Sequence, residues 1–167
     1  MIKNFNSLLV TMFGLGKIKF MPGTFGSLAT TIFLFFLFHT LNISSNVILI
    51  GLVIIFIYSF YAVSTHIKDS KNKDPGEIII DEFLGQSIPI YLYEISHNTT
   101  KESSEAIIYY ILFFILFRYF DIMKPFPVNF FDKNFKNSFG VIMDDICAGV
   151  YVVLTLVCFM IIKSYVL

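Results

Sequence analysis

The chain has 167 residues, of which 56% are hydrophobic and 14% charged, and its formal net charge is zero. A soluble domain carries roughly a quarter charged residues, so this composition, with a mean hydropathy of +0.77, points to one domain, 1–167, with a lipid-facing surface. Zero net charge gives no bulk basicity for nucleic acid. The two cysteines, Cys147 and Cys158, have no Cys-x-x-Cys or Cys/His spacing and argue against zinc.

In chain order, the N-terminus carries Lys3 and a short apolar run, Leu8 to Phe13. No small-x-small cleavage site follows, so it reads as mature protein and as an interfacial helix. A bilayer core of about 30 Å needs about 20 helical residues. Five candidate crossings follow: 25–43, 47–63, 78–93, 106–123 and 146–162. The second is the cleanest. The third is the weakest, because it holds Asp81, Glu82, Gln86 and Pro89. Polar turns separate them: 42–46, the charged 68–76 loop, 94–105, and the Phe-, Lys- and Pro-rich stretch 125–140, which reads as an interfacial loop. The long apolar runs do not alternate, so the fold class is all-α, a helical membrane bundle of about five membrane-associated helices.

Lysine placement orients the bundle. Segments 1–24, 64–77 and 124–145 share one side if all five segments cross, and with Arg118 nearby they hold ten of the twelve basic residues. Only Lys101 and Lys163 fall opposite. The positive-inside rule makes the first side cytoplasmic.

The same count brings four polar motifs to that side: Pro22-Gly23-Thr24-Phe25-Gly26-Ser27, then Asp74 to Gly85, Arg118 to Pro125, and Asp144 to Gly149. Asp81, Glu82, Asp121, Asp144 and Asp145 all border the membrane. An intramembrane carboxylate costs about 2.5–3.5 kcal/mol on insertion scales and marks a function. Gathered acids repel unless a cation neutralises them, and hard oxygen donors favour Mg²⁺. Their bland alternative is pairing with Arg118 and Lys124 as helix glue, but five acids exceed two bases. Gly85 and Gly149 would let helices approach closely.

Arg118 and Asp121 are i, i+3 neighbours and can pair. Arg118 matches phosphate oxygens bidentately, and Lys124 acts as a point charge. Thr24 or Ser27 could cap the first membrane helix, whose N-terminus near Gly26 would suit phosphate. His39, His66 and His97 share no motif and read as interfacial or loop residues. Asn98-Thr99-Thr100 matches a glycosylation acceptor, a triplet frequent by chance.

On these motifs the sequence resembles the phosphatidylglycerophosphatase A family. The matching stretches are Gly14-Leu15-Gly16 through Pro22-Gly23-Thr24-Phe25-Gly26-Ser27-Leu28, then Asp74-Pro75-x-Glu77-Ile78 with Asp81, Glu82 and Gly85. They continue with Phe117-Arg118-x2-Asp121-x2-Lys124-Pro125-x-Pro127 and Gly140-x3-Asp144-Asp145-x3-Gly149. The resemblance implies a bacterial inner-membrane, multi-pass enzyme whose site faces the cytoplasm. It would hydrolyse phosphatidylglycerophosphate to phosphatidylglycerol and phosphate with Mg²⁺.

On this reading Asp81, Glu82, Asp121 and one or both of Asp144 and Asp145 hold the metal, and Asp81, Glu82, Asp121 and Asp145 carry the chemistry. Thr24, Gly26, Ser27, Arg118 and Lys124 bind the phosphate. Water attack and a phospho-aspartate both stay open. Partners are the phospholipid substrate and the membrane, with a homo-oligomer left open. Other phosphatase classes lack their motifs: there is no Asp-x-Asp and no Cys-x5-Arg. The rival readings are a transporter or channel with a carboxylate-lined path, and a scaffold subunit.

Overall fold

In the computed structural model, residues 2–68, 75–97 and 103–166 are described. Asp74, Lys71, Lys73, Lys101 and the triplet Asn98-Thr99-Thr100 lie outside them. Seven α-helices follow in order: α1 Ile2–Val10, α2 Pro22–Phe35, α3 Ser45–Ile67, α4 Ile80–His97, α5 Ser103–Met123, α6 Val128–Asn134 and α7 Ser138–Val166. There is no strand among the described residues.

Among the described residues, four helices are long and apolar enough to cross a membrane: α2 with its extension to Thr40, then α3, α5 and α7. Each runs on apolar sequence with most of its surface outward, as lipid-facing helices do. The third expected segment, α4, falls short of that apolarity. It still runs from one end of the bundle to the other, because Glu82 at its start meets Arg118's surroundings and Glu94 near its end meets His39. Its polar residues survive there because the apolar helices encase them: Asp81, Gln86 and Ser87 are all buried. Pro89 lies inside α4, where it removes one backbone donor.

Boundaries differ from the hydropathy reading in ways that matter. α2 begins at Pro22 rather than Phe25, with Met21 in a left-handed conformation (φ 47°) as its N-cap and no side-chain cap. Pro at the first helical position is pre-organised for that start. Thr24 and Ser27 are therefore inside the first turns instead of capping them. α7 begins at Ser138, so Asp144 and Asp145 sit within a helix. The stretch 125–140 also contains α6, which a cluster of phenylalanine rings, Phe130, Phe131, Phe135 and Phe139, packs against the start of α7.

Two glycines set the tightest helix contact. A side chain at Gly85 would overlap the Asp145 carbonyl of α7, and one at Gly149 would overlap the Gly85 carbonyl of α4. With no Cβ on either helix, the two backbones touch, and this close approach carries Asp145 to the acids of α4. The core divides around α4. One half gathers Leu34, Ile90, Tyr110, Phe113, Phe117 and Val152. The other gathers Val10, Val63, Ile80, Phe83 and Ile142.

Candidate active site

The four polar motifs meet at one end of the bundle, in a cavity of about 340 Å³ lined by Pro22, Gly23, Thr24, Asp81, Glu82, Arg118, Asp121, Lys124, Asp144 and Asp145, among others. The described part of the second motif contributes Gly76 and Ile78 as well.

Three acids form its centre. Asp81, Glu82 and Asp145 each offer a carboxylate oxygen, and these oxygens lie within 4.8 Å of one another. Asp81 and Glu82 come from the first turn of α4; Asp145 comes from α7, held there by the Gly85–Gly149 contact. The backbone N–H of Glu82 donates to Asp81 Oδ1 at 3.1 Å, and that of Asp145 donates to Asp144 Oδ1 at 3.0 Å. Glu82 Oε2 and Asp145 Oδ1 are shielded from solvent and accept no hydrogen bond. Buried acceptors left this way cost about 1–3 kcal/mol or more each. A hard divalent cation at their convergence would satisfy both, and the all-oxygen donor set fits one.

Two cations flank the acids, and each is already partnered on one side. Arg118 Nη1 bonds Asp121 Oδ2 at 2.6 Å and approaches Ser27 Oγ at 3.5 Å. Its Nε has no acceptor, and neither does the hydroxyl of Thr24, although both are buried. Lys124, at the exit of α5 with φ 45°, puts its Nζ 3.0 Å from Asp144 Oδ2 and 3.0 Å from Asp132 Oδ1. Burial works against its charge, but the Asp144 and Asp132 carboxylates more than offset this and hold the ammonium above the ordinary lysine range.

The arrangement is thus two-sided. Acceptors without donors sit at the carboxylates, and donors without acceptors sit at Arg118 and Thr24. That pattern suits a cation and an anion side by side, as in a metal-bound phosphate.

The expected site residues divide accordingly. Asp81, Glu82 and Asp145 come together. Asp121 lines the same cavity but is engaged by Arg118, and Asp144 is engaged by Lys124. Thr24, Arg118 and Lys124 are on the cavity wall. Ser27 is just behind it, donating to the Gly23 carbonyl at 2.8 Å. Gly26 faces the other way, against Ile79 of the segment before α4.

Two contributors were not named as site residues from the sequence, and a third buried polar group lies outside the cavity lining. Gly23 is a cradle: a side chain there would overlap Glu82 Oε1 and stand 3.2 Å from Arg118 Nη1. Asp132 shares Lys124 from α6, a helix that was read as loop. Gln86, one turn deeper than Glu82, is buried with neither amide atom partnered. Gly23 had a signal, its place in the motif beside Thr24; Asp132 had none.

Two of the three histidines, at the ends of membrane-length helices, have carboxylate partners. His39, in the π-helical turn Phe36–Thr40 that ends α2, bonds Glu94 at 3.0 Å, and Tyr110 donates to the same carboxylate oxygen at 2.9 Å. His66 bonds Glu77 at 2.8 Å and ties the end of α3 to the segment that carries Gly76 and Ile78. Both cysteines are free thiols, Cys147 half-buried and Cys158 exposed.

Known proteins give the same grouping. The profile of a family described as Phosphatidylglycerophosphatase A matches residues 8–160. A Haemophilus influenzae protein of that name is 37% identical over 147 residues, covering 88% of this chain and 83% of that one. An Escherichia coli protein of that name is 33% identical, covering 86% and 76%. A Bacteroides thetaiotaomicron protein, provisionally named a phosphatidylinositol-3-phosphatase, is 33% identical, covering 86% of each. No solved structure matches the chain. The matched region contains every residue of the cavity, and the chain belongs to the phosphatidylglycerophosphatase A family, a family of phosphatases.

Proposed function

We propose that the chain hydrolyses phosphatidylglycerophosphate to phosphatidylglycerol and inorganic phosphate, with Mg²⁺ at the carboxylates, on the cytoplasmic side of a bacterial inner membrane. The observation that carries this reading is the gathering of unsatisfied groups on residues that line one cavity: bare carboxylate oxygens on Glu82 and Asp145, bare donors on Arg118 and Thr24. The family and the lysine-rich cavity end support the substrate and the orientation.

Asp81, Glu82 and Asp145 would hold the cation. When bound, Mg²⁺ supplies Lewis-acid polarisation of a phosphoryl oxygen and lowers the pKa of a coordinated water. Arg118 donates from its free Nε to a second phosphoryl oxygen, while Asp121 at 2.6 Å fixes the plane of the guanidinium. Thr24 donates its hydroxyl to a third. Lys124, held at the rim by Asp132 and Asp144, attracts the dianion to the mouth. Asp121 or Asp144, the carboxylates outside the three-acid centre, would accept the proton from the attacking water. The phosphorus–oxygen bond to the glycerol breaks, and the departing alkoxide takes a proton from solvent at the open mouth.

Purified protein should release phosphate from phosphatidylglycerophosphate, lose that activity in EDTA and regain it with Mg²⁺. Glu82→Gln should lower kcat by about 10²-fold or more. Full activity in that variant, or in EDTA, would remove the metal assignment. Because one relative carries an inositol-lipid name, phosphatidylinositol 3-phosphate belongs in the same panel; faster release from it would replace the headgroup named here.

A further inference from the structure

The cavity's polar groups all address a phosphate, and a lipid brings a tail as well. α2 and α5 pack antiparallel and in step. Ser27 approaches Arg118 at the cavity end. Eight residues further along α2, Phe35 meets the ring of Tyr110 edge-on at 5.4 Å, eight residues back along α5. The contacting face of α2 is small and buried, with Ser27, Thr31 and Leu34 turned inward.

Along the outer edge of this seam stand apolar side chains at helical spacing. On the α2 side they are Met21, the N-cap, and Leu28, at i and i+7. On α5 they are Ile111, Ile115 and Ile122, at i, i+4 and i+11. Each is 40–63% exposed. Met21 and Ile122 also line the cavity, one on each lip. The apolar edge is therefore continuous with the site that holds Arg118.

Two apolar hollows elsewhere do not have this continuity. One, of about 330 Å³, is lined by Leu52, Leu84, Ser87 and Ile146. The other, of about 360 Å³, is lined by Leu9, Phe33, Ile80 and Phe83. The α4 residues of these hollows nearest the cavity end, Ile80, Phe83, Leu84 and Ser87, lie roughly 100–160° round that helix from Glu82 at 3.6 residues per turn. A phosphate in the cavity and a tail in either hollow would need the lipid to wrap around α4.

We propose that the α2–α5 seam is the acyl-chain subsite of a lipid phosphate. The substrate enters sideways from the bilayer between Met21 and Ile122, and one acyl chain lies along Leu28 and Ile115. The seam selects lipid phosphates over water-soluble phosphate monoesters, because only a molecule with a tail is held in place while its phosphate reaches Arg118. The inference rests on the phosphatase reading for its substrate class.

The chain has no tryptophan, so one introduced indole is its only one and can be excited apart from the tyrosines. In detergent micelles, the emission of Leu28→Trp should be quenched more by a lipid phosphate with brominated acyl chains than by a neutral lipid with the same chains. Ile54→Trp, on the outward face of α3, should be quenched equally by both. In kinetics, Ile115→Trp should lower kcat/KM for the long-chain phosphate about tenfold by holding its headgroup out of line, with short-chain substrate changed by less than about twofold. Equal quenching of the Leu28→Trp protein by both lipids would overturn the proposal, as would parallel losses on long and short chains. Absence of phosphate release from the native protein would instead refute the phosphatase reading, while the quenching still judges the seam.

Discussion

The two ends of the bundle use the same residue types to opposite effect. At the far end, one carboxylate, Glu94, accepts from Tyr110 and pairs with His39, which stacks on Phe35 at 4.6 Å. At the cavity end, Glu82 and Asp145 each keep an oxygen bare, and Arg118 keeps Nε bare. Satisfied polar groups hold α2, α4 and α5 together. Unsatisfied ones, equally shielded, cost stability and are retained where a ligand completes them. The lesson is that burial alone does not distinguish a helix tie from a site; several unmet partners on residues that share one cavity do.

That contrast can be broken in four ways. The largest effect is expected from Asp145→Asn, which removes one of the three convergent carboxylates. Phosphate release should fall by about 10²-fold or more, while the melting temperature holds or rises, because a repulsive charge is gone. A fall in both would make Asp145 a structural residue.

Next is Gly85→Ala. Its methyl group would overlap the Asp145 carbonyl, so α4 and α7 must part; overpacking of this kind costs about 1–3 kcal/mol. Both thermal stability and activity should drop, since the same contact brings Asp145 to Glu82. Activity that survives a lowered melting temperature would uncouple the helix contact from the site.

At the far end the sign of the split reverses. Glu94→Leu strands the His39 and Tyr110 donors and should cost about 1–3 kcal/mol of stability. Turnover by the folded fraction should stay near native. A selective loss of kcat would show that the far end also serves the reaction.

The smallest effect is expected from Asp132→Asn. Lys124 keeps Asp144, so the ammonium stays charged but less fixed. KM should move by a factor of about two to five with little change in kcat, in line with the loss of a partly exposed ion pair worth up to about 1 kcal/mol. Asp132→Glu should restore most of it. Identical KM in all three proteins would leave Asp132 with α6 packing alone.

Much of this was legible in the chain itself. Apolar runs of span length fixed the helices, and their alternation placed four polar motifs at one end. The weakness of 78–93 was visible too: Asp81, Glu82 and Gln86 are too polar to face lipid. Composition could not say that α4 would still run the length of the bundle, because its shielding comes from α2, α3, α5 and α7. Hydropathy also misplaced the start of α7. Polar residues such as Asp144 and Asp145 lower a window average whether they end a helix or sit inside one.

The sequence by itself determined an all-helical chain, the residue types of the site, the end at which they meet and the family. Those features depend on hydropathy, spacing and motif order, which are local along the chain. Tertiary structure alone decided which acids converge and which are spoken for. Asp81, Glu82 and Asp145 meet because two glycines on α4 and α7 permit backbone contact, whereas Asp121 and Asp144 are taken by Arg118 and Lys124. Partner choice is a question of distance between helices, and no spacing along one helix encodes it.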